Sequence, residues 1–184
     1  MGRIVITEHV TLDGVVEDFG RDGWQFQFDR GKDGEAFKLQ ELHDTAALLL
    51  GRVTYDIFAR SWPSAKGALA DALNPLPKYV VSSTLDDPGW NTKVLKGNPV
   101  EQISKLKREV QGDLVVHGSG QLARTLLDND LVDELRLMIF PLVLGHGERL
   151  FGPTHERMRL QLVESRPVGA DGILIVIYRP SAER

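Results

Sequence analysis

The sequence predicts an α/β fold, a central and mostly parallel mixed sheet with helices on both faces and antiparallel strands at its C-terminal end. Three observations predict it. Short apolar runs alternate with helical periodicity through the first two-thirds of the 184 residues. Residues 46–50 are wholly apolar, the pattern of a strand covered on both faces. The last third switches to three long strand patterns joined by glycine-containing turns, which adds antiparallel strands to the sheet.

The elements follow in order. Residues 3–10, rich in Ile and Val, read as a strand, and 12–32 as an irregular segment carrying Trp24, Phe26 and Phe28. A helix is predicted over 34–45 from the stripe Phe37, Leu39, Leu42 and Ala46, then the strand 46–50 and, after Gly51, a helix over 52–59. A weaker helix over 65–73 is ended by Pro75 and Pro77. Strands follow at 78–82 and 92–95, then a helix at 99–111 with Pro at its first position. Val100, Ile103, Leu106 and Val110 form its apolar side. A strand at 113–116 leads to a helix at 119–128 that turns Leu122, Leu126 and Leu127 inward. Strands at 134–143, 159–166 and 172–179 complete the chain, separated by the loops 145–147 and 169–172.

Composition narrows the function. Apolar residues make up 42% and charged residues 26%, an ordinary balance for a globular protein. A chain of this size removes roughly 70% of its unfolded surface from water, so its core needs no staple. No cysteine is present, which rules out disulfides and suits a reducing compartment. The net charge of −4, with no basic run longer than 105–108, argues against a nucleic-acid surface. The longest apolar stretches, around 138–144, are too short to cross a membrane, and the N-terminus enters a strand with no signal-peptide core. The expectation is one cytoplasmic domain over 1–184.

In such sheets ligands sit at the carboxyl ends of the parallel strands. Three strand ends carry suitable residues. Gly51, Arg52 and Thr54 combine a helix N-terminus, a forked cation and a hydroxyl, which favour phosphate; a tight β–α turn with a solvated arginine explains them equally well. Ser82, Ser83 and Thr84 offer hydroxyls to an anion or a ribose, or simply form a turn. Gly118, Ser119, Gly120, Gln121 and Leu122 open a helix after a strand and, with Ala123, fit G-x-G-x-x-A, a pattern that lets backbone approach a pyrophosphate. The pattern sits two-thirds along the chain and no acid ends the following strand, both against a true Rossmann unit.

Candidate acid–base groups are Asp13, in a T-L-D-G turn that closes the first strand, and His117, just before the glycine turn. Glu17 and Asp18 follow Asp13 closely. Thr11, Trp24 and Phe28 are candidate substrate-binding residues, although the aromatic cluster around Trp24 serves as readily for a small satellite core. The five histidines have neither helical pairing nor a thiol partner, so no metal site is expected. No G-x-S-x-G elbow or cysteine nucleophile is present, which weighs against a hydrolase or transferase.

Five motifs in order carry a family resemblance: T-L-D-G at 11–14, L-L-L-G-R-V-T-Y-D at 48–56, K-Y-V-V-S-S-T at 78–84, H-G-S-G-Q-L-A at 117–123 and L-V-D-E-L at 131–135. Over residues 3–179 the chain resembles the dihydrofolate-reductase-like superfamily. Within it, the chain is similar to the C-terminal reductase domain of riboflavin-biosynthesis deaminase-reductases. The resemblance implies a three-layer fold, with NADPH across the carboxyl edge of an eight- or nine-stranded sheet. It implies that Gly51, Arg52 and Thr54 contact the adenosine and phosphate part of the cofactor. Ser82 and Ser83 would lie by the 2′-phosphoribose, residues 118–122 would hold the pyrophosphate, and Asp13 would face the substrate. It also implies a homodimer formed through the late strands.

Two departures stand out. The riboflavin-pathway reductases carry a glutamate where this chain has His117. Dihydrofolate reductases place a carboxylate on the first long helix, where this chain has Glu35 and Glu41 without a clear match. The expected function is an NADPH-dependent reductase of a small heterocyclic, carbonyl or imine substrate, similar to 5-amino-6-(5-phosphoribosylamino)uracil reductase or dihydrofolate reductase. The alternative is a non-catalytic, regulatory NADP(H)-binding module.

Overall fold

β1 (Arg3–Thr11) lies inside the sheet, flanked in parallel by β5 (Asp113–His117) and β6 (Glu134–Phe140). This computed structural model describes residues 1–16, 23–152 and 157–181. The remaining strands are β2 (Thr45–Gly51), β3 (Lys78–Val81), β4 (Thr92–Leu95), β7 (Leu160–Val168) and β8 (Ile173–Pro180). The spatial order is β4-β3-β2-β5-β1-β6-β8-β7. The first six run parallel; β8 pairs antiparallel with β6, and β7 antiparallel with β8.

Alternation along the strands builds two cores. Ile4, Ile6, Leu49, Leu114 and Val116 point to one face, against Ile103 and Leu106 of α4 (Pro99–Glu109) and Leu122, Leu126 and Leu127 of α5 (Gly120–Asp128). Each fully buried leucine there contributes about 2 kcal/mol. Val5, Leu48, Leu50, Val80 and Val115 point to the other face. There they meet Leu42 of α1 (Gly31–Asp44), Tyr55 and Phe58 of α2 (Arg52–Ser61) and Leu73 of α3 (Ala68–Leu73). A third cluster gathers Trp24, Met138, Phe140, Val168 and Ile173 at the β6–β8 end. Among the described residues no helix is long and apolar enough to cross a membrane.

Two elements differ from expectation for local reasons. α1 begins at Gly31 instead of 34, because the Asp29 carboxylate accepts the Gly31 amide at 2.7 Å and starts the turn earlier. Its inward side is Gly34, Lys38, Glu41 and Leu42, so half the buried face is charged. β6 stops at Phe140, where the Leu142 amide turns back onto the Phe140 carbonyl.

The register creates the cleft. The last β1–β5 pair is Thr7 with His117, whereas β1 stays paired to β6 as far as Thr11 with Phe140. β1 therefore overruns β5, and Glu8 and His9 lie beside the point where β5 turns into Gly118. A ligand crevice belongs at the carboxyl ends of such strands.

Candidate active site

The rim of the cleft is formed by adjacent strand ends. The Gly51 amide, at the end of β2, donates to Ser119 Oγ at 3.0 Å. Gly118 and Ser119 both take left-handed backbone conformations, with φ +63° and +64°, and so turn the chain sharply from β5 into α5. Among the described residues no side chain caps α5, so its first-turn amides are open to an anion. Gly120 is bare where it must be: a Cβ there would lie 3.1 Å from Val16 Cγ2. Arg52 is clamped by both Asp56 oxygens at 2.9 Å and reaches Thr84 Oγ1 at 3.3 Å, which sets its guanidinium beside the loop after β3. Ser82 Oγ accepts the Thr84 and Leu85 amides, Ser83 is exposed, and Thr54 is buried in the first turn of α2. Gln121 is exposed and Leu122 belongs to the core. The open helix start and the positioned cation fit a phosphate-bearing dinucleotide.

Beside this rim is a cavity of about 460 Å³ that shares Gly118 with it. Its wall is apolar along α2 and α3, with Ile57, Phe58, Trp62 and Leu69, and polar at β1 and α1, with Thr7, Glu8, His9, Lys38 and Glu41. His117 lines it too, its ring 5.6 Å from that of Phe58.

The polar end has unusual electrostatics. Burial pushes the Glu8 carboxyl up to about 8, against a smaller opposing pull from the Lys38 ammonium, so Glu8 is largely protonated at neutral pH. Burial pushes His9 down to about 3, helped by Lys38, and holds His117 well below its ordinary range. Both imidazoles are therefore neutral. His9 Nδ1 pairs with Gln25 Oε1, an acceptor, which places the proton on Nδ1 and leaves buried Nε2 as a bare acceptor. Glu8 Oε1 is likewise buried with no partner. Polar atoms left so inside a cavity are poised for a ligand.

The other expected site residues lie elsewhere. Asp13 is absent from the cavity lining. Its carboxylate accepts from Thr11 Oγ1 at 2.7 Å, from the Gly145 and Leu144 amides and from Arg149, and so ties the 144–149 loop to the end of β1. The Thr11 hydroxyl, followed by the Gly145 amide, holds Asp13 well below the usual carboxylate range. Thr11 is consumed in this turn, also accepting the Val15 amide. Trp24 and Phe28 meet the ring of Phe140 edge-on at 5.0 and 5.5 Å, a satellite core; of the three aromatics at 24–28, Phe26 is the one that lines the cavity. Glu35 pairs with Arg30 in solvent, whereas Glu41 lines the cavity. Glu17, Asp18 and His155 lie outside the described residues. Among the described residues no cluster could hold a metal ion.

The signal for Glu8, His9 and Lys38 was present in the sequence. A Glu-His pair interrupts an otherwise apolar strand pattern, and Lys38, Glu41 and Leu42 share a helical face with Gly34.

The family model of the RibD C-terminal domain matches residues 3–174. The chain belongs to the RibD C-terminal domain family. A curated relative, the uncharacterized protein YyaP of Bacillus subtilis (strain 168), is 29% identical, with 96% of this chain and 94% of that protein covered. Three solved structures show the same fold. A putative riboflavin biosynthesis protein from Shewanella sp. PV-4 superposes with a TM-score of 0.80 at 20% identity, covering 97% of this chain and 99% of that one. A pyrimidine reductase-like protein from Corynebacterium diphtheriae gives 0.71 at 16% identity, with 98% and 92% covered. Dihydrofolate reductase from Enterococcus faecalis, complexed with NADP(H) and RAB-propyl, gives 0.69 at 16%, with 97% and 96% covered. This RibD C-terminal domain thus has the dihydrofolate-reductase-like fold, and two of these structural neighbours are named as a reductase or as reductase-like.

Proposed function

We propose that this domain is an NADPH-dependent reductase whose proton donor is Glu8. NADPH, when bound, supplies a hydride to an electrophilic carbon. Arg52 and the open start of α5 bind its phosphates, and Ser82 and Ser83 lie toward the 2′-phosphate. Glu8 holds a proton at neutral pH in a cavity lined with apolar side chains and delivers it as the substrate gains electron density. His9 and His117, both neutral, leave Glu8 as the proton source. The observation that carries this reading is the buried Glu8, its Oε1 without a partner among the described residues, lining the cavity beside a dinucleotide-type rim. Asp13, expected to have this role, is committed instead to the 144–149 loop.

The experiment is titration with NADPH and NADH, followed by turnover of carbonyl and imine substrates by the wild type, Glu8→Gln and Asp13→Asn. Tight NADPH binding, with turnover lost in Glu8→Gln and largely kept in Asp13→Asn, supports the reading. Binding without turnover of any substrate favours the regulatory module. No binding of either nucleotide overturns both. We also propose a homodimer formed through the late strands, where edge strand β7 and its neighbour β8 expose Leu162, Val163 and Leu174. Sedimentation at a single-chain mass would rule it out.

A further inference from the structure

We propose that Lys38 is the substrate anchor of this cavity, binding an electron-rich oxygen, so that the site takes small cyclic carbonyl or carboxylate compounds and refuses cations. The substrate class rests on the reductase reading; the anchor itself rests on geometry.

Lys38 lies on the inward face of α1, its side chain only 7% exposed, and lines the cavity. Its ammonium donates to Thr7 Oγ1 at 2.9 Å and to Glu41 Oε2 at 2.5 Å. An ammonium has three donors, so one remains for a ligand. Lysine is seldom buried without a reason, and this one is held from behind by a chain of ions. The Thr7 hydroxyl donates to the same Glu41 oxygen at 3.1 Å. The other oxygen of Glu41 is 4.0 Å from Arg136 Nη1. Arg136 in turn is fixed by Glu134 at 2.7 Å and Asp113 at 3.1 Å, and Arg3 and Arg179 close the network at the surface. The ammonium cannot swing away, so the donor is already oriented before a ligand arrives.

The charges facing the cavity set the sign. Lys38 and Arg30 are cations, and Glu41 is a carboxylate whose Oε1, 4.0 Å from Arg136 Nη1, has no hydrogen-bond partner among the described residues. Lys38 lines the cavity together with Glu8, His9 and His117. Opposite, Ile57, Phe58, Trp62 and Leu69 accept an apolar ring. A ring bearing a carbonyl or carboxylate satisfies both ends, whereas an amidinium would meet Lys38 with like charge.

In the reductase reading the atoms balance simply. The carbonyl carbon gains the hydride, the oxygen takes the π-electron pair and then the Glu8 proton, and NADP⁺ and an alcohol result. Lys38 keeps its proton and steadies the growing negative charge on oxygen.

The test is calorimetric titration of the full chain, without cofactor, with benzoate, acetophenone and benzamidine. Benzoate and acetophenone are expected to bind and benzamidine not. Lys38→Met should weaken benzoate at least tenfold and admit benzamidine, an inversion that a purely structural lysine would not produce. Should Lys38→Met fail to fold, Lys38→Met/Glu41→Gln removes the stranded carboxylate, and the loss of benzoate binding is read there. Benzamidine binding the wild type as tightly as benzoate overturns the proposal. So does a benzoate affinity unchanged within twofold in either variant, which would place the ligand at the start of α5. NADPH titration of the same samples separates the two readings. Benzoate held by Lys38 without NADPH binding leaves the anchor standing and removes the reductase, whereas NADPH binding without Lys38 dependence does the reverse.

Discussion

Gly51 and Ser119, 68 positions apart, are joined by a single bond: the Gly51 amide donates to Ser119 Oγ at 3.0 Å. That bond ties the end of β2 to the first turn of α5. Ser119 is held at φ +64°, a conformation costly for a residue with a side chain, and its hydroxyl is what the position gains in return. The bond also occupies the hydroxyl that would otherwise cap α5, which leaves the helix start free.

Ser119→Ala strands a half-buried amide and loosens this corner. We expect a loss of about 1 kcal/mol in chemical denaturation, the usual cost of an unmade backbone bond. NADPH affinity should fall several-fold in the same variant. Unchanged stability with unchanged affinity would separate the corner from the phosphate cradle.

Arg52 is oriented by Asp56 toward Thr84, at the loop that carries Ser82 and Ser83. In Arg52→Ala the NADPH dissociation constant is expected to rise at least about tenfold, in line with a charge-assisted bond of about 1.5–3 kcal/mol. NADH affinity should change little. Equal losses for both nucleotides, measured by nicotinamide fluorescence, would remove Arg52 from the 2′-phosphate.

Much of this fold could be read from the chain. The both-faces-apolar run of β2 and the Pro99 start of α4, with Asn98 accepting the Val100 amide at 2.9 Å, leave little choice of structure. The glycine turns placed the rim as well, because left-handed backbone before a helix is a local property. The cavity was harder to read. Lys38 and Glu41 look like an exposed i, i+3 pair, and only the Thr7 hydroxyl across the sheet and Arg136 from β6 make them an inward pair. Glu8 likewise looks like a polar break in a strand until the end of β5 at His117 shows that it borders a cleft. Asp13 misled for the opposite reason: its turn motif is local, and its partners 144–149 lie far along the chain.

Lys78 has a separate structural role. Its side chain is buried, and its ammonium donates to the Leu73, Asn74 and Leu76 carbonyls at 3.2, 2.8 and 2.7 Å, with the Trp90 ring 4.1 Å away. Leu73 and Asn74 end α3 and Leu76 follows it; of the three carbonyls Leu73 also accepts the Leu76 amide at 3.2 Å, so Asn74 and Leu76 depend most on the ammonium. Lys78→Met keeps the length and removes the donor, and should destabilise by about 2–3 kcal/mol through the orphaned carbonyls. Urea denaturation measures it; a change below 0.5 kcal/mol would mean that water replaces the ammonium.

The buried titrating groups also set a pH dependence of stability with a maximum. His9 falls to about 3 on folding and His117 is lowered in the same direction, so the unfolded chain binds more protons below about pH 6.5 and stability falls on acidification. Glu8 is raised from 4.5 to about 8, so between those values the folded state binds the extra proton and stability falls as pH rises. From about pH 4.5 to 6.5 two histidines oppose one carboxyl, and stability climbs. Above 6.5 Glu8, with Lys38 the cation facing it, lowers stability at up to about 1.36 kcal/mol per pH unit, until near pH 8 the Lys78 ammonium, which burial lowers to about 8, sheds its proton and acts in the opposite direction. The maximum therefore falls near pH 6.5, where Glu8 is protonated and both imidazoles are neutral. Glu8→Gln should abolish the decline above pH 6.5 and leave the acid limb intact. Urea melts of both proteins across pH 4–9 test this. A wild-type plateau from pH 6.5 to 8 would mean that Glu8 ionises freely, and the proton donor would have to be sought at another group.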